Sequence, residues 1–273
     1  MISGERIQEL CDVYCGHQDD FNRNPRISDQ REKHVNLELL REPWSNPPRI
    51  FCYSHCVKEF MGLLHLLQNE FTLVSHNEDT NITEAYLPLL ESPKLLFWHA
   101  QNVMIQHPKI GGLPIGIANS MWPHGNQEIL REVCSKGIQK TNSVFFNFSI
   151  WTNRTERTAC YEQLKNKVQW HEGQPFRPYL ETLATYKYAI SPPGNGIDCH
   201  RIWECIYLGV IPIVLRSTFT ERLERAFPCV VLDKWEDFNE ASLLHMYLAP
   251  EYNVSFDHLC ECIEEGKDFF AYR

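Results

Sequence analysis

The residues best equipped for chemistry in this chain lie between Tyr186 and Arg216, in the stretch YKYAISPPGNGIDCHRIWECIYLGVIPIVLR. Lys187 to Ser191 is a short apolar run of strand character. Pro192-Pro193-Gly194-Asn195-Gly196 must turn, because two prolines and two glycines continue neither regular structure. Asp198 is placed to cap a helix starting near Cys199. Ile202, Trp203, Ile206 and Tyr207 recur at helical spacing, Gly209 ends the helix, and Val210 to Leu215 reads as a buried strand. A glycine turn that opens a helix after a strand is an anion site: the backbone N–H groups of Gly194, Asn195 and Gly196 are offered where the helix dipole favours negative charge. Arg201 in the first turn adds a charge-assisted donor for phosphate. Glu204, at i+3 on the same face, can accept from ribose hydroxyls. These residues equally fit a plain strand–helix–strand turn with Arg201 and Glu204 as a surface pair.

The elements that must position this segment follow an alternating pattern. The chain has 273 residues, 43% hydrophobic and 22% charged, which is ordinary for a globular enzyme of one large or two modest domains. Its net charge of −9 argues against nucleic acid or a membrane surface as a general partner. An anionic ligand therefore needs a local basic site, for which Arg154, Arg157 and Arg201 are candidates. No stretch reaches the length needed to span a bilayer, and the N-terminus lacks a secretory pattern, so a cytoplasmic location is expected. The eleven cysteines form no framework and read as buried free thiols. Cys52-x3-Cys56 with His55, and Cys260-x-Cys262, lack a second pair at zinc-site spacing and read as core thiols.

Residues 1–48 read as a polar N-terminal extension, with Cys11 to Asp29 a loop and Glu32 to Leu40 a helix. Strands are expected at Ile50–Tyr53, Phe71–Ser75, Lys94–Trp98 and Leu113–Ile117, with helices at Val57–Gln68, Glu84–Leu90 and Gln127–Lys136. A joint at Gly137 to Asn142 divides a first α/β domain, 49–137, from a second, 138–250. The second holds a strand at Ser143–Ile150, helices at Thr155–Lys165 and Tyr179–Thr185, the glycine-turn segment and a strand at Val230–Leu232. Residues 251–273 read as a terminal helix packing back on the first domain. The expected fold is α/β, with two Rossmann-like domains facing a cleft and parallel sheets. Ligands of such sheets bind outside the carboxyl ends of the strands.

The segment AISPPGNGIDCHRIWECIYLGVIPIV resembles the nucleotide-sugar motif of exostosin-like glycosyltransferases: strand, PPG turn, arginine-bearing helix, then GxIPIV. The phrases SHNED, FWHAQN, LPIGIANSMWPHGN and WTNRTER are similar to a branch of that group found in plants, protists and large algal viruses. The likeness covers roughly residues 50–240. It implies the GT-B arrangement, with the donor on the C-terminal domain and the acceptor on the N-terminal one. It also implies an inverting single displacement with no metal and no further cofactor. The expected activity moves a sugar from a UDP-sugar, with UDP-xylose as the suggested donor, to an oligosaccharide or glycoprotein glycan; for a viral protein the location would be host cytoplasm. A GDP-fucose-type fucosyltransferase and a non-catalytic nucleotide- or glycan-binding module are the alternatives.

On this reading Gly194, Asn195, Gly196, Arg201 and His200 hold the diphosphate, with Arg157 or Arg154 in support, and Glu204 holds the ribose. Inversion needs a base for the acceptor hydroxyl. The turn His76-Asn77-Glu78-Asp79 after a strand offers one. Asp79 is favoured, with Glu78 and His76 next to it on the acceptor side, although Asp79 also suits an N-cap. His99 at a strand end and Trp122 and His124 in the loop WPHG complete the acceptor candidates; Trp122 would stack on a sugar ring.

Overall fold

The computed structural model describes residues 1–34, 40–252 and 254–271. The chain is mixed α/β with two parallel sheets, of five and four strands, and twelve α-helices among the described residues. It divides into two compact units, residues 1–125 with 255–271, and residues 126–254.

The first unit's sheet runs β1 (Val13–Cys15), β2 (Arg49–Tyr53), β3 (Phe71–His76), β4 (Leu95–Ala100) and β5 (Ile110–Gly112), in that order and all parallel. These strands are apolar because both faces are covered: Ile50, Phe51, Leu73, Val74 and Trp98 are fully buried. Tyr14 is bridged on one side to Phe51 of β2 and on the other, in parallel, to His34. The chain order across the sheet therefore reverses at β1, with residue 34, then β1, then β2. This is the doubly wound pattern, whose ligand crevice lies outside the carboxyl ends at the reversal.

Residues 1–48 are not an appendage. Ile2 is completely buried, its carbonyl accepts from Ile117 N at 3.0 Å, and Ser3 bridges Ile117. In the helix Gly4–Glu9, Glu5 is completely buried, and its Oε2 accepts from Ser120 Oγ at 2.7 Å and Asn24 Nδ2 at 3.3 Å. A buried carboxylate survives only with such donors, so this segment folds with the sheet. The segment expected as a loop from Cys11 supplies strand β1. Of the helix expected from Glu32, a single 3-10 turn at Arg31–Lys33 is seen, and residues 35–39 lie outside the described ones. The strand expected at Leu113–Ile117 forms instead at Ile110–Gly112. There Gly112 N donates to Asp268 Oδ1 at 3.0 Å, and a Cβ on Gly111 would stand 2.8 Å from Asp268 Cα. The glycines let the C-terminal segment lie against β5, and its helix Phe256–Glu265 belongs to this unit.

The second unit begins at Asn126 rather than after Gly137. The helix Gln127–Ser135 packs beside the helix Phe176–Ala184, and Arg177 Nη2 bonds Glu132 Oε2 at 2.6 Å. The sheet runs β6 (Asn142–Phe145), β7 (Tyr186–Ile190), β8 (Ile211–Leu215) and β9 (Val230–Leu232), all parallel. Phe146 at the end of β6 bridges Trp170 in parallel, and β7 already occupies the other edge. The order therefore reverses here too, at β6 and β7. Val144, Phe146, Leu164, Ile190 and Ile213 share one core. All eleven cysteines are free, and no helix among the described residues is long and apolar enough to cross a membrane.

Candidate functional site

The second unit's reversal point gathers most of the expected donor residues. β7 ends at Ile190 and the PPG turn follows; the helix resumes at His200–Tyr207 with Cys199 as N-cap. Asp198 stands one position before that cap. That carboxylate, buried, accepts from Trp203 Nε1 at 2.8 Å and so anchors the helix start from inside. The helix ends at Tyr207, and Gly209 follows at φ +67°, a left-handed conformation that glycine adopts without strain.

Arg157, on the helix Arg154–Leu164, is buried and holds the turn in place. Its Nε donates to Pro193 O at 2.9 Å and its Nη1 to Ser149 O at 2.8 Å. Asn153 Nδ2 donates to Gly194 O at 2.8 Å. A Cβ on Gly194 would stand 3.3 Å from Arg157 Nη2, so the glycine is there for close approach. With the carbonyls of Pro193 and Gly194 thus taken from behind, the N–H groups of Gly194, Asn195 and Gly196 have no partner among the described residues. Gly194 and Gly196 are buried and Asn195 is exposed.

Arg201 is half-buried, and its Nη1 is a buried donor with no acceptor. The guanidinium carbon lies 5.2 Å from the Tyr179 ring centre and 5.9 Å from that of Phe145. Burial opposes its charge, but the fields of Tyr179 and Glu204 outweigh this and its pKa is raised. Burial lowers the Arg157 pKa, and the neighbouring Arg201 charge lowers it further. Two guanidinium groups in one field, one with an unused N–H, make a place where an anion is stabilised. Glu204 is buried and accepts from the Tyr179 hydroxyl at 2.6 Å. Burial also pushes the Tyr179 phenol well up, so it stays a neutral donor. His200 is half-buried in the first turn. Arg154 is exposed, 5.2 Å from the ring centre of Trp151, itself 77% exposed. Beside the turn, a cavity of about 190 Å³ opens at the carboxyl ends of β7 and β8, lined by Ser191, Pro193, Ile197, Ile202, Ser217 and Thr220 among others.

The acceptor candidates of the first unit divide differently. His76 is buried at the end of β3 with both ring nitrogens engaged, Nδ1 by Asn77 Oδ1 at 3.2 Å and Nε2 by Pro114 O at 3.0 Å. It is part of the scaffold. Asn77 adopts φ +66° and turns the chain outward. Glu78 is half-buried, 3.8 Å from His55 Nδ1, and burial raises its pKa. Asp79 is exposed with no partner among the described residues. It is not an N-cap, since the following helical turn starts at Glu84 with Thr83 before it.

His99 is not at the surface. It is fully buried on β4, 4.6 Å from the Phe97 ring, and burial lowers its pKa to about 4. The Ile263 carbonyl lies near enough to oppose that shift. Neither ring nitrogen, though, makes a hydrogen bond of good geometry. Trp122 and His124 are exposed and stacked, with ring centres 6.2 Å apart.

Sequence reasoning missed Tyr179 and Trp151. Tyr179 stands 25 positions before Glu204 on a separate helix, and no local spacing links them. Trp151 had a signal, a tryptophan beside the candidate arginines in WTNRTER. No family model matches this chain, and no curated protein shows significant similarity to it.

Proposed function

We propose that this protein is a glycosyltransferase of the GT-B kind, using a nucleoside-diphosphate sugar, with UDP-xylose the suggested donor and a glycan hydroxyl the acceptor. The observation that carries the reading is the unsatisfied donor Nη1 of Arg201 together with the unpaired N–H groups of Gly194, Asn195 and Gly196. Buried donors left open cost about 1–3 kcal/mol each in the empty protein. A diphosphate would satisfy several at once. Arg157 fixes the turn and adds its charge. Glu204, oriented by Tyr179, would take the ribose hydroxyls with its remaining acceptor capacity. The neighbouring cavity is where the nucleobase would lie.

In this reading the second unit holds the donor and the first supplies the base. Asp79 takes the proton of the acceptor hydroxyl. The acceptor oxygen attacks the anomeric carbon, and the bond from that carbon to the diphosphate oxygen breaks with inversion. The leaving diphosphate carries the developing charge, which Arg201 and the turn amides stabilise most strongly in the transition state. Trp151 and Trp122 are exposed rings on which a sugar can stack.

The experiment is a thermal-shift panel of nucleotide sugars followed by product analysis with the best binder. A ligand at ~100 times its Kd stabilises by about 2.7 kcal/mol. A shift with UDP-sugars, weaker with GDP-sugars, and slow release of UDP to water support the reading. A shift without donor turnover would leave a binding module.

A further inference from the structure

We propose that His17, Asp20, His55 and Cys56 form a binding site for one divalent transition-metal ion of the zinc class, at the reversal point of the first unit's sheet. One ligand atom from each of the four lies within 4.8 Å of all the others. His55 Nε2 and Asp20 Oδ2 are 3.3 Å apart. In a tetrahedral zinc site with bonds of 2.0–2.3 Å, neighbouring ligand atoms are separated by roughly 3.3–3.8 Å. Small side-chain rotations therefore close the set around an ion. Two imidazoles, one carboxylate and one thiolate are a borderline-soft set that selects zinc, cobalt or nickel over magnesium or calcium.

The fold brings these residues together from two strand ends. His17 follows β1 after Gly16, where a Cβ would stand 2.5 Å from Tyr53 Cδ2, so the chain lies tight on β2. His55 and Cys56 occupy the single turn Ser54–Cys56 directly after β2. Asp20 sits one turn beyond His17, and its Oδ2 accepts from His17 N at 2.8 Å, which presets the carboxylate. Asp20 and Cys56 are buried, while His17 and His55 are exposed, giving a floor of anionic ligands and an open mouth of imidazoles. Outer partners are also in place. Glu59 Oε2 lies 3.2 Å from His17 Nε2, and Glu78 Oε1 stands at an ion-pair distance of 3.8 Å from His55 Nδ1. A carboxylate hydrogen-bonded to an imidazole, as Glu59 is to His17, is the usual support of a metal-bound histidine. Binding forms a sulfur–metal bond as the Cys56 S–H bond breaks and its proton passes to solvent; no electron is transferred. None of the four ligands has a role in the proposed transfer reaction, so the two proposals stand or fall separately.

The test is titration of the metal-stripped full chain with Co²⁺ followed by displacement with Zn²⁺. One ion per chain is expected, with tetrahedral visible bands and a thiolate-to-cobalt band in the near ultraviolet. C56S should abolish the near-ultraviolet band. The double variant H17A/H55A changes only exposed side chains and should lose at least ~100-fold in affinity, and E59Q about 10-fold. Circular dichroism checks that each variant folds. No spectral change in the wild type, a sulfur band that persists in C56S, or undiminished affinity in H17A/H55A overturns the site and leaves ordinary histidine–carboxylate pairs.

Discussion

Tyr179 donates its hydroxyl to Glu204 Oε2 at 2.6 Å while its ring centre lies 5.2 Å from the Arg201 guanidinium carbon. One side chain from another helix therefore sets both polar groups of the helix His200–Tyr207. In Tyr179→Phe the ring survives and the donor is lost, leaving a buried carboxylate one partner short. A loss of about 1–3 kcal/mol is expected, read as a lower urea midpoint at unchanged slope. Donor KM should rise as well. An unchanged midpoint would mean that solvent already satisfies Glu204.

Arg157 should prove structural as much as electrostatic. Arg157→Met keeps the bulk and removes both donors to Pro193 O and Ser149 O. Stability should fall by about 2 kcal/mol or more, and nucleotide affinity should fall with it because the turn is no longer held. Lost affinity with full stability would assign Arg157 to ligand contact alone.

Asp79→Asn should lower kcat by orders of magnitude with nucleotide affinity near normal, because only the proton acceptor is removed. Glu78→Gln should be the milder change. If instead Glu78→Gln abolishes turnover and Asp79→Asn does not, the base is Glu78.

His99 predicts an acid weakness in the first unit. Its folded pKa is depressed to about 4 by burial, below the ordinary value near 6.5. The unfolded chain therefore binds the proton first, and stability is complete above about pH 6.5. It falls as pH drops from there toward 4, by about 3 kcal/mol in all. His99→Leu should flatten that part of the stability curve and leave stability at pH 7 no lower, since neither ring nitrogen is hydrogen-bonded. Parallel curves for the two proteins would contradict this.

The second unit was largely legible because its signals are local. The run from Tyr186 to Leu232 punctuates itself with PPG, Gly209 and apolar strands, and all three strands appear there within a residue of expectation. The glycine turn, Arg201 and Glu204 were readable for the same reason. The helix Thr218–Ala226 was missed although Ser217 caps it. The first unit was harder. β1 is three residues long, too short for periodicity to register, and its neighbours are polar. Missing it hid the reversal point, and with that the meeting of His17 and Asp20 with His55 and Cys56. The burial of His99 was hidden for the opposite reason: a polar residue at a strand end reads as exposed, whereas cover by the C-terminal segment around Ile263 is a tertiary fact. Asp79 looked like a cap by spacing, and the later helix start at Glu84 decided otherwise; the N-cap expected at Asp198 falls one residue later, at Cys199.

The central claim is that Arg201 and the PPG turn hold a nucleoside diphosphate. Calorimetric titration of UDP into the wild type and Arg201→Ala tests it most directly. The account predicts a measurable heat with one site in the wild type. In the variant the loss should be roughly 10- to 100-fold in affinity, corresponding to about 1.5–3 kcal/mol for a charge-assisted bond. Arg201→Lys should not restore it, since a lysine neither stacks on Tyr179 nor presents the planar fork. Equal affinity in wild type and Arg201→Ala, or no binding of any nucleoside diphosphate, would contradict the account.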